Sequence, residues 1–149
     1  MRHRRQDCII GGKHGSQTLI IPIYGPTTSA GGSPGSTHVN ISGTTVCLQV
    51  GIPLPVGARI LGCRASITDN ATGPTKLEML LVKSGTGSGA AVTIATSAAS
   101  AGNGSDQTLS ITGQTEIVAT GKEYWCWIHF QTGSASSFIH NVEVDFDLP

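Results

Sequence analysis

The chain has 149 residues, enough for one domain with a real core. Charged residues make up 12% of it and the formal net charge is zero, against a usual charged share of about 25%. Such a body exerts no general pull on nucleic acid or acidic membranes, and little self-repulsion opposes close packing of copies. Gly, Ser and Thr take the place of Lys and Glu, a surface habit commoner in adhesins and virion proteins than in cytosolic enzymes.

Residues 1–16 are basic, then glycine-rich, and show no core-facing pattern. They read as an arm, held in place only by something outside the domain. Arg2, Arg4 and Arg5 form its basic tip. Only Cys8-Ile9-Ile10 follows before Gly11-Gly12, too short for a signal-peptide core of ~7–15 apolar residues. No run approaches the ~20 apolar residues of a membrane span. The expectation is therefore folding in a cytoplasm. There Cys8, Cys47, Cys63 and Cys126, which form no Cys-x-x-Cys pair, are expected as buried thiols. Cys63–Cys126 is the pair to check first for a bond.

Gln17 to Ile23 is a candidate strand with Leu19, Ile21 and Ile23 on one face. Pro22 has no N–H to donate and assigns it to an edge. Gly25 to Ser36 reads as a flexible linker. Thr37–Ile41 and Thr44–Val50 are short strands, and Gly51 to Gly57, with two prolines, is an extended connector. From Ala58 to Lys83 two period-two patterns flank a run of turn formers, Asp69 to Pro74, which predicts a β-hairpin. Its buried face is expected to carry Leu61, Cys63, Ala65 and Ile67, then Leu77, Met79 and Leu81. Strands are also predicted at Ala91–Thr96, Gln107–Thr112, Thr115–Val118, Lys122–Gln131 and Ser137–Asp147. In the aromatic strand, Tyr124, Cys126, Ile128 and Phe130 share one face, and Trp125, Trp127 and His129 the other. The last strand places Phe138, Val142, Val144 and Phe146 opposite Asn141, Glu143, Asp145 and Asp147, with His140 on the buried parity.

No window keeps a helical period for three turns. Many short strands between Gly/Ser turns predict an all-β fold, an antiparallel β-sandwich or jelly-roll-like domain with an extended N-terminal arm. The expected division is an arm and linker over 1–36 and a sandwich over 37–149, with a compact body at 58–149.

Candidate chemistry is sparse. Gly85-Thr-Gly87-Ser-Gly89 lacks the following helix and the Lys-Ser/Thr of a phosphate loop. His3, His14, His38, His129 and His140 show no metal-ligand spacing, so no metal or cofactor is expected. Glu143, Asp145 and Asp147 could line a Ca²⁺ site, but the stripe reads rather as solvated or subunit-facing. No nucleophile–base constellation stands out, and the expectation is a protein that is not an enzyme. Asn40-Ile-Ser42, Asn70-Ala-Thr72 and Asn103-Gly-Ser105 match glycosylation sequons but read as turns. Trp125 and Trp127 lie on one strand face, where they could stack on a sugar or pack between subunits.

Pro55-Val-Gly-Ala-Arg, Ser66-Ile-Thr-Asp-Asn-Ala-Thr-Gly-Pro-Thr, Lys122-Glu-Tyr-Trp and Val142-Glu-Val-Asp-Phe resemble small β-sandwich virion proteins of tailed bacteriophages. These are head-decoration (cement) proteins and tail-fibre tip domains, and the resemblance spans about residues 55–149. It implies a virion protein, often a homotrimer, with no catalytic residues to carry over. The first expectation is a capsid decoration protein bound to the major capsid protein of the phage head. Its partner-binding arm would use Arg2, Arg4, Arg5, Leu19, Ile21 and Ile23. Fully extended, residues 1–36 would reach on the order of 120 Å at ~3.3 Å per residue, and strand 17–23 could add to a neighbouring strand. The alternative is a receptor-binding tip recognising a host surface glycan through Trp125 and Trp127.

Overall fold

A computed structural model describes residues 15–23, 39–41, 47–69, 76–85, 90–102, 104–130 and 137–149. The basic tip at Arg2, Arg4 and Arg5, the linker at 25–36, the turn at 70–75 and the glycine loop at 86–89 lie outside them. The described chain is all strand and connection, in the order β1 (Gln17–Pro22), β2 (Val39–Ile41), β3 (Cys47–Gly51), β4 (Arg59–Asp69), β5 (Leu77–Ser84), β6 (Ala91–Thr96), β7 (Asp106–Ile111), β8 (Glu116–Ile117), β9 (Tyr124–Phe130) and β10 (Ser137–Asp147).

Two antiparallel sheets face each other. The first runs β1-β10-β4-β7, with β2 on β10 beyond β1 and β8 on β4 beyond β7. The second runs β3-β9-β5-β6. The chain changes sheets after β2, β3, β4, β6, β8 and β9. The core lies between the sheets, where Ile60, Cys63, Ala65, Ile67, Val142 and Val144 meet Leu77, Met79, Leu81, Cys126 and Ile128. All eleven have no exposure.

The hairpin expected over 58–83 is not formed. β4 pairs with β10, β7 and β8, whereas β5 pairs with β9 and β6. The two apolar faces therefore meet across the core. Period two fixes which face is buried and leaves the edge partner open.

Two bulges shift the expected faces. Leu61 is the extra residue in β4, since Phe146 and Asp145 pair with Ile60 and Gly62. Ile60 rather than Leu61 is the buried residue there. His140 is the extra residue in β10, between the pairs Ile139–Ile67 and Asn141–Ser66. Ile139 is buried in place of the expected Phe138, which is half-buried. A bulge puts two residues opposite one and so reverses the alternation beyond it.

β1 corrects the boundary drawn for the arm. It pairs with β10 from Gln17–Phe146 to Pro22–Asn141 and is an edge strand, as Pro22 required. Leu19, Ile21 and Ile23, expected to grip a partner, pack on the core of their own sandwich.

Beyond β6, side chains continue the ladder. Ser97 N and Ser100 N donate to Met79 O and Leu77 O (both 2.8 Å). Ser97 Oγ and Ser100 Oγ accept from Met79 N (3.0 Å) and Leu77 N (2.9 Å). Hydroxyls thus satisfy the β5 amides where strand partners end.

Candidate functional site

The outer face of the first sheet carries the acidic stripe. Its carboxylates meet cations brought opposite them by the β4–β10 register. Arg64 reaches Glu143 (2.9 Å) and Asp145 (2.7 Å), and Arg59 reaches Asp147 (2.5 Å). Thr18 Oγ1 also donates to Asp145 (2.7 Å). The hydrogen bond to Glu143 holds the Arg64 guanidinium above its ordinary value, and Asp145 adds to this. Further along, Thr68 Oγ1 donates to Asp106 (2.5 Å) and lies 2.8 Å from His140 Nε2. Among the described residues, no group of three His, Cys, Asp or Glu is placed to hold a metal ion.

The outer face of the second sheet is more apolar. Trp125 and Trp127 alternate along β9 beside Val82 and Leu80 of β5. Their ring centroids lie 6.2 Å apart at 40°. Both indole N–H groups are buried without a hydrogen-bond acceptor among the described residues. Trp125 is only 9% exposed, so it offers an edge rather than a flat stacking face. Next to it Gly51, its cross-strand neighbour, leaves open space. There a cleft of about 440 Å³ forms, walled by Trp125, Pro53 and Leu54 and bordered by Gln49, Lys122 and Glu123. On the same face His129 Nε2 lies 3.0 Å from Glu78 Oε1.

Cys63 and Cys126, on central strands of opposite sheets, are free and buried. The hydrogen bond between them, and burial, push the Cys126 thiol far above its ordinary value. A thiolate nucleophile needs the opposite environment; these two groups fill the core.

One end of the sandwich holds a second polar cluster. Lys83 Nζ donates to Glu116 Oε1 (2.8 Å). The Tyr124 hydroxyl accepts from Ala119 N (3.2 Å) and lies 3.1 Å from Glu116 Oε1 and Ile117 O. The Glu116 hydrogen bond raises the Lys83 ammonium above its ordinary value, and burial raises the Tyr124 phenol. Around this cluster Val56 and Ile117 stand 58% and 59% exposed.

As their alternation predicted, Trp125 and Trp127 share one face of β9, and Glu143, Asp145 and Asp147 one face of β10. Sequence reasoning missed Arg59 and Arg64 as the counter-charges, the apolar end at Val56 and Ile117, and Asp69 as a buried anchor. Cross-strand partners depend on register, which the stripe alone does not disclose.

No protein-family model matches the chain, and no curated protein does. Among solved structures, a chain of the cyanophage Pam1 capsid asymmetric unit is similar, with a TM-score of 0.43 and 24% identity over 87% of this chain and 100% of that one.

Proposed function

We propose that the chain is a structural protein of a bacteriophage virion, a decoration (cement) protein that binds the assembled head and stabilises it. The observation that carries this reading is the winding of the strands. Their order, β1/β2-β10-β4-β7/β8 over β3-β9-β5-β6, supports a winding of the jelly-roll kind, an architecture of viral capsid and lectin domains. Architecture alone assigns no function, and this step is an analogy. The resemblance of residues 55–149 to phage virion sandwiches supports the same reading. So do the ion pairs on the outer face of the first sheet, which join its strands. In this reading the protein folds in the host cytoplasm, works without catalysis or cofactor, forms a homo-oligomer, with a trimer as the first expectation, and sits on the major capsid protein.

A protein that binds the shell but not the free subunit stabilises the shell by mass action. Particles lacking it should assemble and then release DNA at a lower temperature or under milder osmotic shock. The cleft beside Trp125 favours a second reading, a receptor-binding tip. That reading expects normal head stability and lost adsorption. Following DNA release on heating, with adsorption measured in parallel, separates the two. Unchanged release with abolished adsorption would overturn the first.

A further inference from the structure

Cys63 and Cys126 face each other across the core. Cys63 lies in β4, between Val144 of β10 and Ile111 of β7. Cys126 lies in β9, between Val50 of β3 and Leu81 of β5. Both thus sit on inner strands of facing sheets, and neither has any exposure. They belong to one core cluster, both thiols are free, and a hydrogen bond joins them. Alanine or valine would fill two such positions without a reactive sulfur in either.

Sulfurs already in hydrogen-bond contact need only a further approach to bond. A sandwich tolerates a disulfide between its facing sheets, as antibody domains do. The segment between the two cysteines holds β5, β6, β7 and β8. One bond would therefore tie the middle of each sheet to the other and close a loop of about 60 residues, which restricts the unfolded chain strongly.

We propose that Cys63 and Cys126 are a modification site, at which a small disulfide oxidant such as glutathione disulfide installs a bond between the two sheets. One cysteine gives its proton to solvent, and its thiolate attacks a sulfur of the oxidant. A mixed disulfide forms and one glutathione thiolate leaves. The second cysteine, also deprotonated, attacks the protein sulfur of that mixed disulfide. The Cys63–Cys126 bond forms and the other glutathione thiolate leaves. Each leaving thiolate takes up a proton, so two protein thiols are oxidised and one small disulfide is reduced to two thiols. The closed core admits neither the oxidant nor a thiolate. The first attack therefore takes place while the chain folds or when the sheets part transiently, and the same burial shields the finished bond. A reducing cytoplasm keeps the pair free, and an oxidising exterior closes it. Under the virion reading that change comes when the particle leaves its host; the bonding itself does not rest on that reading.

The test is refolding of the full chain in oxidised or in reduced glutathione, then proteolysis without reductant and mass spectrometry. The oxidised sample should yield the peptides around Cys63 and Cys126 joined, lighter than their sum by the mass of two hydrogen atoms. Its melting temperature should stand roughly 10 °C above that of the reduced chain. Cys126→Ala should lose both the joined peptide and the rise; should that variant fail to fold, the unaltered chain decides alone. Bonding of the chain once folded should be slow, and at least about tenfold faster in urea below the unfolding midpoint, because it needs opening. Free thiols at Cys63 and Cys126 after refolding in oxidised glutathione would overturn the proposal. So would bonding of either to Cys8 or Cys47 instead, or a bridged chain that melts below the reduced one.

Discussion

Asp69 is the residue whose removal should tell most about how the sandwich is held at its other end. It closes β4 and has no exposure. Its carboxylate accepts from Ser100 Oγ at one oxygen and from Ser137 Oγ at the other (3.0 Å). Its carbonyl accepts from Gly104 N (2.7 Å). Ser100 Oγ itself accepts from Leu77 N, so a single side chain ties β4, the segment after β6, the start of β5 and the start of β10. Asp69→Ala removes the acceptor and strands two buried hydroxyls. Hydrogen bonds to a charged group contribute ~1.5–3 kcal/mol each, and buried donors left unmade add to the loss. The expected cost is about 3–5 kcal/mol, a large share of the ~5–15 kcal/mol that holds a domain together. At ~2–4 °C per kcal/mol for a chain of this size, the melting temperature should fall by roughly 6–20 °C. Asp69→Asn keeps the shape and one acceptor and should cost only about 1–2 kcal/mol. Urea unfolding at unchanged m-value measures both. A double-mutant cycle with Ser137→Ala should show coupling of about 1 kcal/mol or more. A loss below about 1 kcal/mol for Asp69→Ala would refute the idea that this carboxylate fastens the four segments.

Ile67→Asp buries a charge at a position with no exposure and should abolish cooperative melting, whereas Ser66→Asp on the outer face should be mild; equal damage would mean the β4 register is wrong. A Cβ on Gly62 would lie 2.3 Å from Ile111 O. Gly62→Ala should therefore cost more than about 2 kcal/mol in urea unfolding, while Gly51→Ala, in open space, stays within about 0.5 kcal/mol. Lys83 and Tyr124 both have values raised above their ordinary 10.5 and 10.0. The folded state thus holds both protons more tightly, so this stability is complete below pH 10.0 and lost as pH rises through the raised values. Thermal melts should decline there, less steeply in Tyr124→Phe, and a melting temperature flat beyond about pH 11 would contradict the assignment.

Strand positions were legible because alternation survives in almost every segment. Ser137–Asp147 and Ala91–Thr96 match β10 and β6 to the residue. Strand neighbours were not legible. A six-residue run of turn formers that begins with the last residue of β4 suits a hairpin as well as a crossing between sheets, and only the competition for edge partners decides. β10 and β7 both offer β4 long apolar ladders, and β5 finds its own in β9. The bulges at Leu61 and His140 were hidden for the same reason, since an extra residue exists only relative to a partner strand. Asp69 was hidden in plain composition. Beside Asn70 it reads as a turn former, yet its neighbours Ser100 and Ser137 come from segments 31 and 68 residues away.

The same dependence on register decides what the acidic stripe does. Glu143 and Asp145 project from one face of β10, two residues apart, and like charges on neighbouring positions oppose the strand they sit on. Arg64 on β4 lies between them and bonds both. As a surface pair each contact contributes only ~0–1 kcal/mol. Its larger effect is to let two carboxylates stay side by side on a strand whose other face is core. Arg59 does the same for Asp147 at the apolar end. Two cations thus make the three carboxylates of β10 tolerable on this face without cancelling their charge. A face that needed only solubility would do better with dispersed charge. An ordered array held by cross-strand arginines instead keeps its oxygens at fixed positions.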